Sequence, residues 1–107
     1  MNAWLYLLIA IGFEIGGTTL LKMSDGFEKP MIGMVSIGLY TASLFFLAPA
    51  LKTIPVGIAY AIWAGVGIVA VALIGFVFFQ QRLGISQFLF ISLILIGAVG
   101  LRLTTAE

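Results

Sequence analysis

Glu14 is the residue whose type and position could do chemistry. It stands in the run from Trp4 to Leu21, about 18 residues carrying no other charge, long and apolar enough to read as a transmembrane helix. A carboxylate inside such a helix costs about 2.5–3.5 kcal/mol on insertion scales. A membrane chain that keeps one generally uses it, for protons, ions or substrate. The competing use is an acid that stays protonated or pairs with a base. No second charge lies deep enough in a helix to be an obvious partner.

A carboxyl withdrawn from water favours its neutral form. Such a group can lose its proton to an arriving cation and regain it when the cation leaves. It then holds a proton or a cation, never both fully, and that competition is the minimum chemistry of an antiporter. The cation needs further contacts. Tyr40, Tyr60 and Trp63 are aromatic and mid-helix. Aromatic faces attract cations by about 2 kcal/mol or more when desolvated, and they bury flat apolar groups. An acid and aromatics without a nearby base suit a lipophilic cation, with helix packing as the competing use of each ring. Trp4 and Tyr6, near the membrane edge, read instead as interfacial anchors.

Helical periodicity places Leu7, Ala10, Ile11, Gly17, Thr18 and Leu21 on the side of Glu14. The nearest of these, Ala10, Gly17 and Thr18, are small. Small residues let another helix approach closely or leave room for a guest.

Composition sets the frame for this acid. Only 8% of the 107 residues are charged, against about 25% in soluble domains, so the chain is nearly all membrane. There is no cysteine and no histidine, which removes thiolate ligation, disulfides, and the commonest metal ligand and general base. No cofactor is expected. A net charge of +1 leaves no footprint for nucleic acid. The amino-terminal run lacks a basic segment before it and a small-residue cleavage site after it, so it reads as a retained first span.

The expected architecture is all-α: one domain, residues 1–107, with four membrane helices over about 3–21, 31–51, 56–79 and 85–103. Neither an internal repeat nor a linker is visible. Pro30 suits a first helical turn, and Pro49 should kink or end the second helix. The short Lys52–Pro55 connection is expected to make helices 2 and 3 an antiparallel hairpin. In helix 3, Tyr60, Trp63 and Gly67 fall on one face, and Gly65-Val66-Gly67 is the expected bend. Ser86 is the expected N-cap of helix 4, and Arg102 ends it.

With four spans, Lys52, Arg102 and the amino terminus share one side, and Lys22, Lys29 and Arg82 share the other. Orientation follows the Lys and Arg bias between loops. Here that bias is nearly zero, which predicts insertion both ways round. One protomer has one buried acid and too few helices to enclose a large cation. A dimer of oppositely inserted chains supplies two acids, which titrate as a coupled pair. Its two faces become equivalent by exchange of conformation, as in inverted repeats.

Glu14 with Gly17-Thr18, the turn Lys22-Met23-Ser24-Asp25-Gly26-Phe27, and the run from Pro55 through Gly57-Ile58-Ala59-Tyr60-Ala61-Ile62-Trp63-Ala64-Gly65-Val66-Gly67 resemble the small multidrug resistance family. The resemblance covers essentially the whole chain and is strongest to the quaternary-ammonium branch. It implies a proton-coupled exporter of cationic, often aromatic, toxicants in the bacterial cytoplasmic membrane, working as an antiparallel homodimer. It implies Glu14 as the shared proton and substrate site, lined by Ala10, Ile11, Gly17, Thr18, Ser43, Tyr60 and Trp63, with Tyr40 near it. Gly65 and Gly67 would form a bend that differs between protomers.

The chain departs from the family pattern in places. The family's fourth helix often carries two glycines seven apart at the dimer seam. Gly97 fits the second, Phe90 stands where the first belongs, and Gly100 would shift the seam. Phe45 replaces a tryptophan common in drug exporters. Gly17-Thr18 favours the drug branch over the guanidinium branch. The alternatives are a selective guanidinium or polyamine exporter, and one subunit of a heterodimeric pair. An intramembrane enzyme lacks a nucleophile–base set.

Overall fold

The computed structural model describes residues 2–105. Met1 and Ala106–Glu107, hence the amino-terminal charge and the tip of the tail, lie outside the described residues. Four helices follow one another: α1 (Ala3–Met23), α2 (Pro30–Ala50), α3 (Val56–Phe78) and α4 (Ile85–Thr104). Each is long and apolar enough to cross a membrane. Twenty residues of helix span about 30 Å, the thickness of the hydrocarbon core. In lipid the helix is favoured because it satisfies its own backbone groups.

The helix ends follow local chemistry. Asn2 Oδ1 accepts from Leu5 N–H at 2.9 Å and starts α1. Ser24 ends it, fully buried, donating to the Leu21 carbonyl at 2.7 Å and accepting from Phe27 N–H at 3.2 Å. Pro30 opens α2, and Pro49 stands in its last turn. At α4 the expected cap is corrected. Gly84 is the N-cap, and its N–H donates to Gln87 Oε1 at 2.6 Å, so Ser86 lies inside the first turn.

The packing centres on α1, which contacts both α2 and α3, while α4 packs on α3. The expected packing of α2 on α3 as a hairpin is therefore corrected: the short connection joins their ends, but α2 packs on α1, and α3 packs on α1 and α4. The α1–α2 seam is close. A side chain at Gly17 would meet the Ser36 carbonyl at 3.3 Å. Ser36 Oγ donates to the Gly17 carbonyl at 2.7 Å, and Ser43 Oγ donates to the Ala10 carbonyl at 2.9 Å. Small residues and interhelical hydrogen bonds hold membrane helices together where hydrophobicity cannot. Replacing Ser36 and Ser43 together with Ala is expected to cost about 1–2 kcal/mol, read as a lower melting temperature in detergent.

Trp4 is corrected from an interfacial anchor to a core residue. It is 8% exposed, and the Arg102 guanidinium lies 4.2 Å from its ring centroid. The fourth helix thus ends on the first by a cation–π contact. Elsewhere α4 is open, with Ala98 its one buried residue.

Candidate functional site

Glu14 sits at the middle of α1, one residue past its midpoint, where α2 and α3 both approach. Thr18, one turn on, donates its hydroxyl to Glu14 Oε1 at 3.2 Å. The same hydroxyl shares a 2.5 Å hydrogen bond with the Tyr40 hydroxyl of α2. A threonine has one proton to give. While Thr18 donates to Glu14, Tyr40 must donate to Thr18, so the chain runs from α2 to the carboxylate. If Glu14 carries a proton on Oε1 and donates it, the chain can run the other way.

The second carboxyl oxygen is different. Oε2 is buried and has no hydrogen-bond partner. It faces α3 at Gly67, where a Cβ would come within 2.7 Å of it. A carboxylate oxygen without a donor in a dry setting is a costly arrangement, and a proton or a cation relieves it. Gly67 therefore makes room for the carboxyl. Gly67→Ala is expected to leave the helices intact, because the carboxyl end is flexible. It should push Glu14 out of its seat and weaken cation binding several-fold, as measured by titration with tetraphenylphosphonium.

Glu14, Thr18, Gly67, Ile68, Val71, Ala72 and Gln81 line an open cavity of about 300 Å³. Of the residues expected at the site, the structure gathers Glu14, Thr18, Tyr40 and Gly67. Ala10, Gly17 and Ser43 are buried in the α1–α2 seam, where they bring Tyr40 within reach of Thr18. Ile11 is buried too and lines a separate apolar cavity of about 280 Å³ with Trp4, Leu7, Ile62, Val66 and Ala98. Tyr60 and Trp63 do not line the Glu14 cavity. Tyr60 is 59% exposed, and the two rings stand 5.4 Å apart at 58°. They lie on the face of α3 that carries Gly67, with Trp63 about 6 Å along the axis from it. The Trp63 indole Nε1 is buried without a partner.

Gly65 packs on Ile94 and Ala98 of α4, and α3 passes through Gly65 to Gly67 as one helix. At Gly97 and Gly100 an added Cβ would meet no described residue within 4 Å. Sequence reasoning missed Ile68, Val71, Ala72 and Gln81. Extending the Tyr60–Trp63–Gly67 stripe by four residues reaches Val71. No periodicity reaches Gln81, which arrives from the α3–α4 connection.

Comparison with known proteins bears on this geometry. The family model described as Small Multidrug Resistance protein matches residues 2–94. The chain is 46% identical to the multidrug transporter EmrE of Escherichia coli, over 92% of this chain and 90% of that one. It is 43% identical to the quaternary ammonium compound-resistance protein QacF of Klebsiella aerogenes, over 96% and 94%. It is also 37% identical to a guanidinium exporter of Yersinia pseudotuberculosis, over 96% and 99%.

Proposed function

Because the chain belongs to the Small Multidrug Resistance protein family, we propose that it is a proton-coupled antiporter exporting lipophilic, often aromatic or quaternary ammonium, cations. It is a multi-pass protein of the bacterial inner membrane. The observation that carries the antiport reading is Glu14 itself: one oxygen accepts from Thr18, which is in turn bonded to Tyr40, and the other has no partner, within an open cavity. A proton or a cation can complete the second oxygen, and each excludes the other. Export follows if the site faces one side of the membrane at a time.

Tyr60 and Trp63 supply the flat, electron-rich surface for an aromatic cation on this reading. They wait beside the carboxyl rather than around it, and a partner chain completes the enclosure. Within one protomer the Glu14 cavity is open on a side. The proposed assembly is an antiparallel homodimer with α4 at the seam. Two features support it: the near absence of a Lys/Arg bias, and the glycines Gly97 and Gly100, where an added Cβ would meet no described residue within 4 Å. The dimer holds two protons or one cation.

The second reading is selective guanidinium export, favoured by the 37% identical guanidinium exporter. Expression in a drug-sensitive bacterial host separates the two. Growth protection against ethidium and benzalkonium is expected. Protection against guanidinium alone would replace the multidrug reading with the second. Protection that appears only with a co-expressed homologue would make the chain one subunit of a heterodimeric pair.

A further inference from the structure

A second cavity of about 180 Å³ lies beyond the first, lined by Thr18, Thr19, Lys22, Val71, Ile74, Phe79 and Gln81. It shares Thr18, Val71 and Gln81 with the Glu14 cavity, so those three side chains are the partition between the two. Lys22 stands on α1 about 12 Å beyond Glu14, at the membrane edge. The outer chamber therefore leads from the edge to the wall of the carboxyl's own cavity.

Gln81 is the part of this partition that does not belong to a helix. After α3 ends, Gln80 turns the chain through the left-handed region at φ 57°, which a non-glycine residue occupies at some cost. Gln81 is thereby folded back. Its N–H donates to the Gly75 carbonyl at 3.0 Å, and its carboxamide lies directly on Gly75, where a Cβ would overlap Oε1 and stand 3.1 Å from Cδ. Gly75 is a seat for this one side chain. Thr18, Thr19 and Lys22 bring polar groups to a chamber otherwise walled by Val71, Ile74 and Phe79. Lys22, together with Arg82 in the adjoining cleft that Gln81 also lines, repels cations, so the chamber does not suit the cationic substrate. Among the described residues, Glu14 is the one acid that lines either cavity.

We propose that Gln81, seated on Gly75, is a plug that separates Glu14 from water on the Lys22 side, and that its displacement opens a route for protons which the cationic substrate does not share. The inference rests on Glu14 being the proton site. With the plug seated, the carboxyl exchanges its proton only through the open face of its cavity, and transport stays coupled. With the plug lifted, water in the outer chamber reaches the carboxyl directly and protons leak without substrate.

The test is proton leak into liposomes carrying the full-length protein, with an imposed pH gradient and no substrate. Gly75→Ala removes the seat, and Gln81→Ala removes the plug. Raising the open fraction from about 1% to about 10% raises the leak about tenfold, and that rise is expected in both variants. Tetraphenylphosphonium affinity of Gly75→Ala should stay close to wild type, which also reports that the variant folds. Adding Glu14→Gln to Gln81→Ala should return the leak to the protein-free level. An unchanged leak in both single variants overturns the plug, as does a leak that survives Glu14→Gln or a matching loss of affinity in Gly75→Ala. Failure of the antiport reading shows separately, as substrate binding by wild type that does not compete with protons.

Discussion

Glu14→Gln is expected to abolish proton-coupled transport and cation binding together. Glutamine has the shape of glutamate and can still accept the Thr18 hydrogen bond at 3.2 Å, so the α1–α2 seam and the fold should survive. What disappears is the charge. Two unit charges 4 Å apart attract by about 4 kcal/mol at an effective dielectric of about 20, which corresponds to about a thousandfold in affinity. Partial exposure of the site reduces this, and a loss of at least about a hundredfold remains the expectation. Titration of purified protein with tetraphenylphosphonium measures it. Binding by the variant that still depends on pH would show that another group exchanges the proton.

Trp63→Ala carries the second-largest effect, and its signature is selectivity. The indole is half-buried beside Tyr60, packs against the buried core, and keeps an unpartnered N–H. Losing a desolvated cation–π contact of about 2 kcal/mol weakens an aromatic cation about thirtyfold. A small cation without a flat apolar face loses less. Because Ala also removes packing, Trp63→Phe serves as the companion, keeping a ring while weakening the electrostatic part. The expected order of affinity for ethidium is wild type, then Phe, then Ala, with guanidinium changing least. Equal losses for both cations would assign Trp63 to helix packing alone.

The four spans were legible because membrane helices are written in length and hydropathy, and because Pro30 and Pro49 mark the two ends of α2. Glu14 was legible for the same reason, as a charge where charge is expensive. What the linear pattern could not carry is which faces meet. Ser36 and Ser43 look like ordinary weak polarity along α2, yet each reaches across to a carbonyl of α1. That seam absorbs Ala10 and Gly17, which periodicity alone places beside the acid. Gly67 reads as a bend in sequence, whereas in space it is the floor under a carboxyl oxygen. Trp4 shows the limit of position-based reading. Its nearness to the membrane edge suggests an anchor, but Arg102, distant in sequence, draws it into the core. Gln81 depends on one left-handed residue in a connection, a feature set by the whole turn rather than by any periodic stripe.

Binding of tetraphenylphosphonium to the purified wild-type protein, followed across pH with proton release recorded in the same titration, bears most directly on the exchange at Glu14. If a proton and a cation compete for the carboxyl, apparent affinity weakens as pH falls, by up to about tenfold per unit for each proton displaced, and every binding event releases protons. Affinity that stays flat from acid to alkaline pH, with no proton released, would contradict the exchange and the antiport built on it.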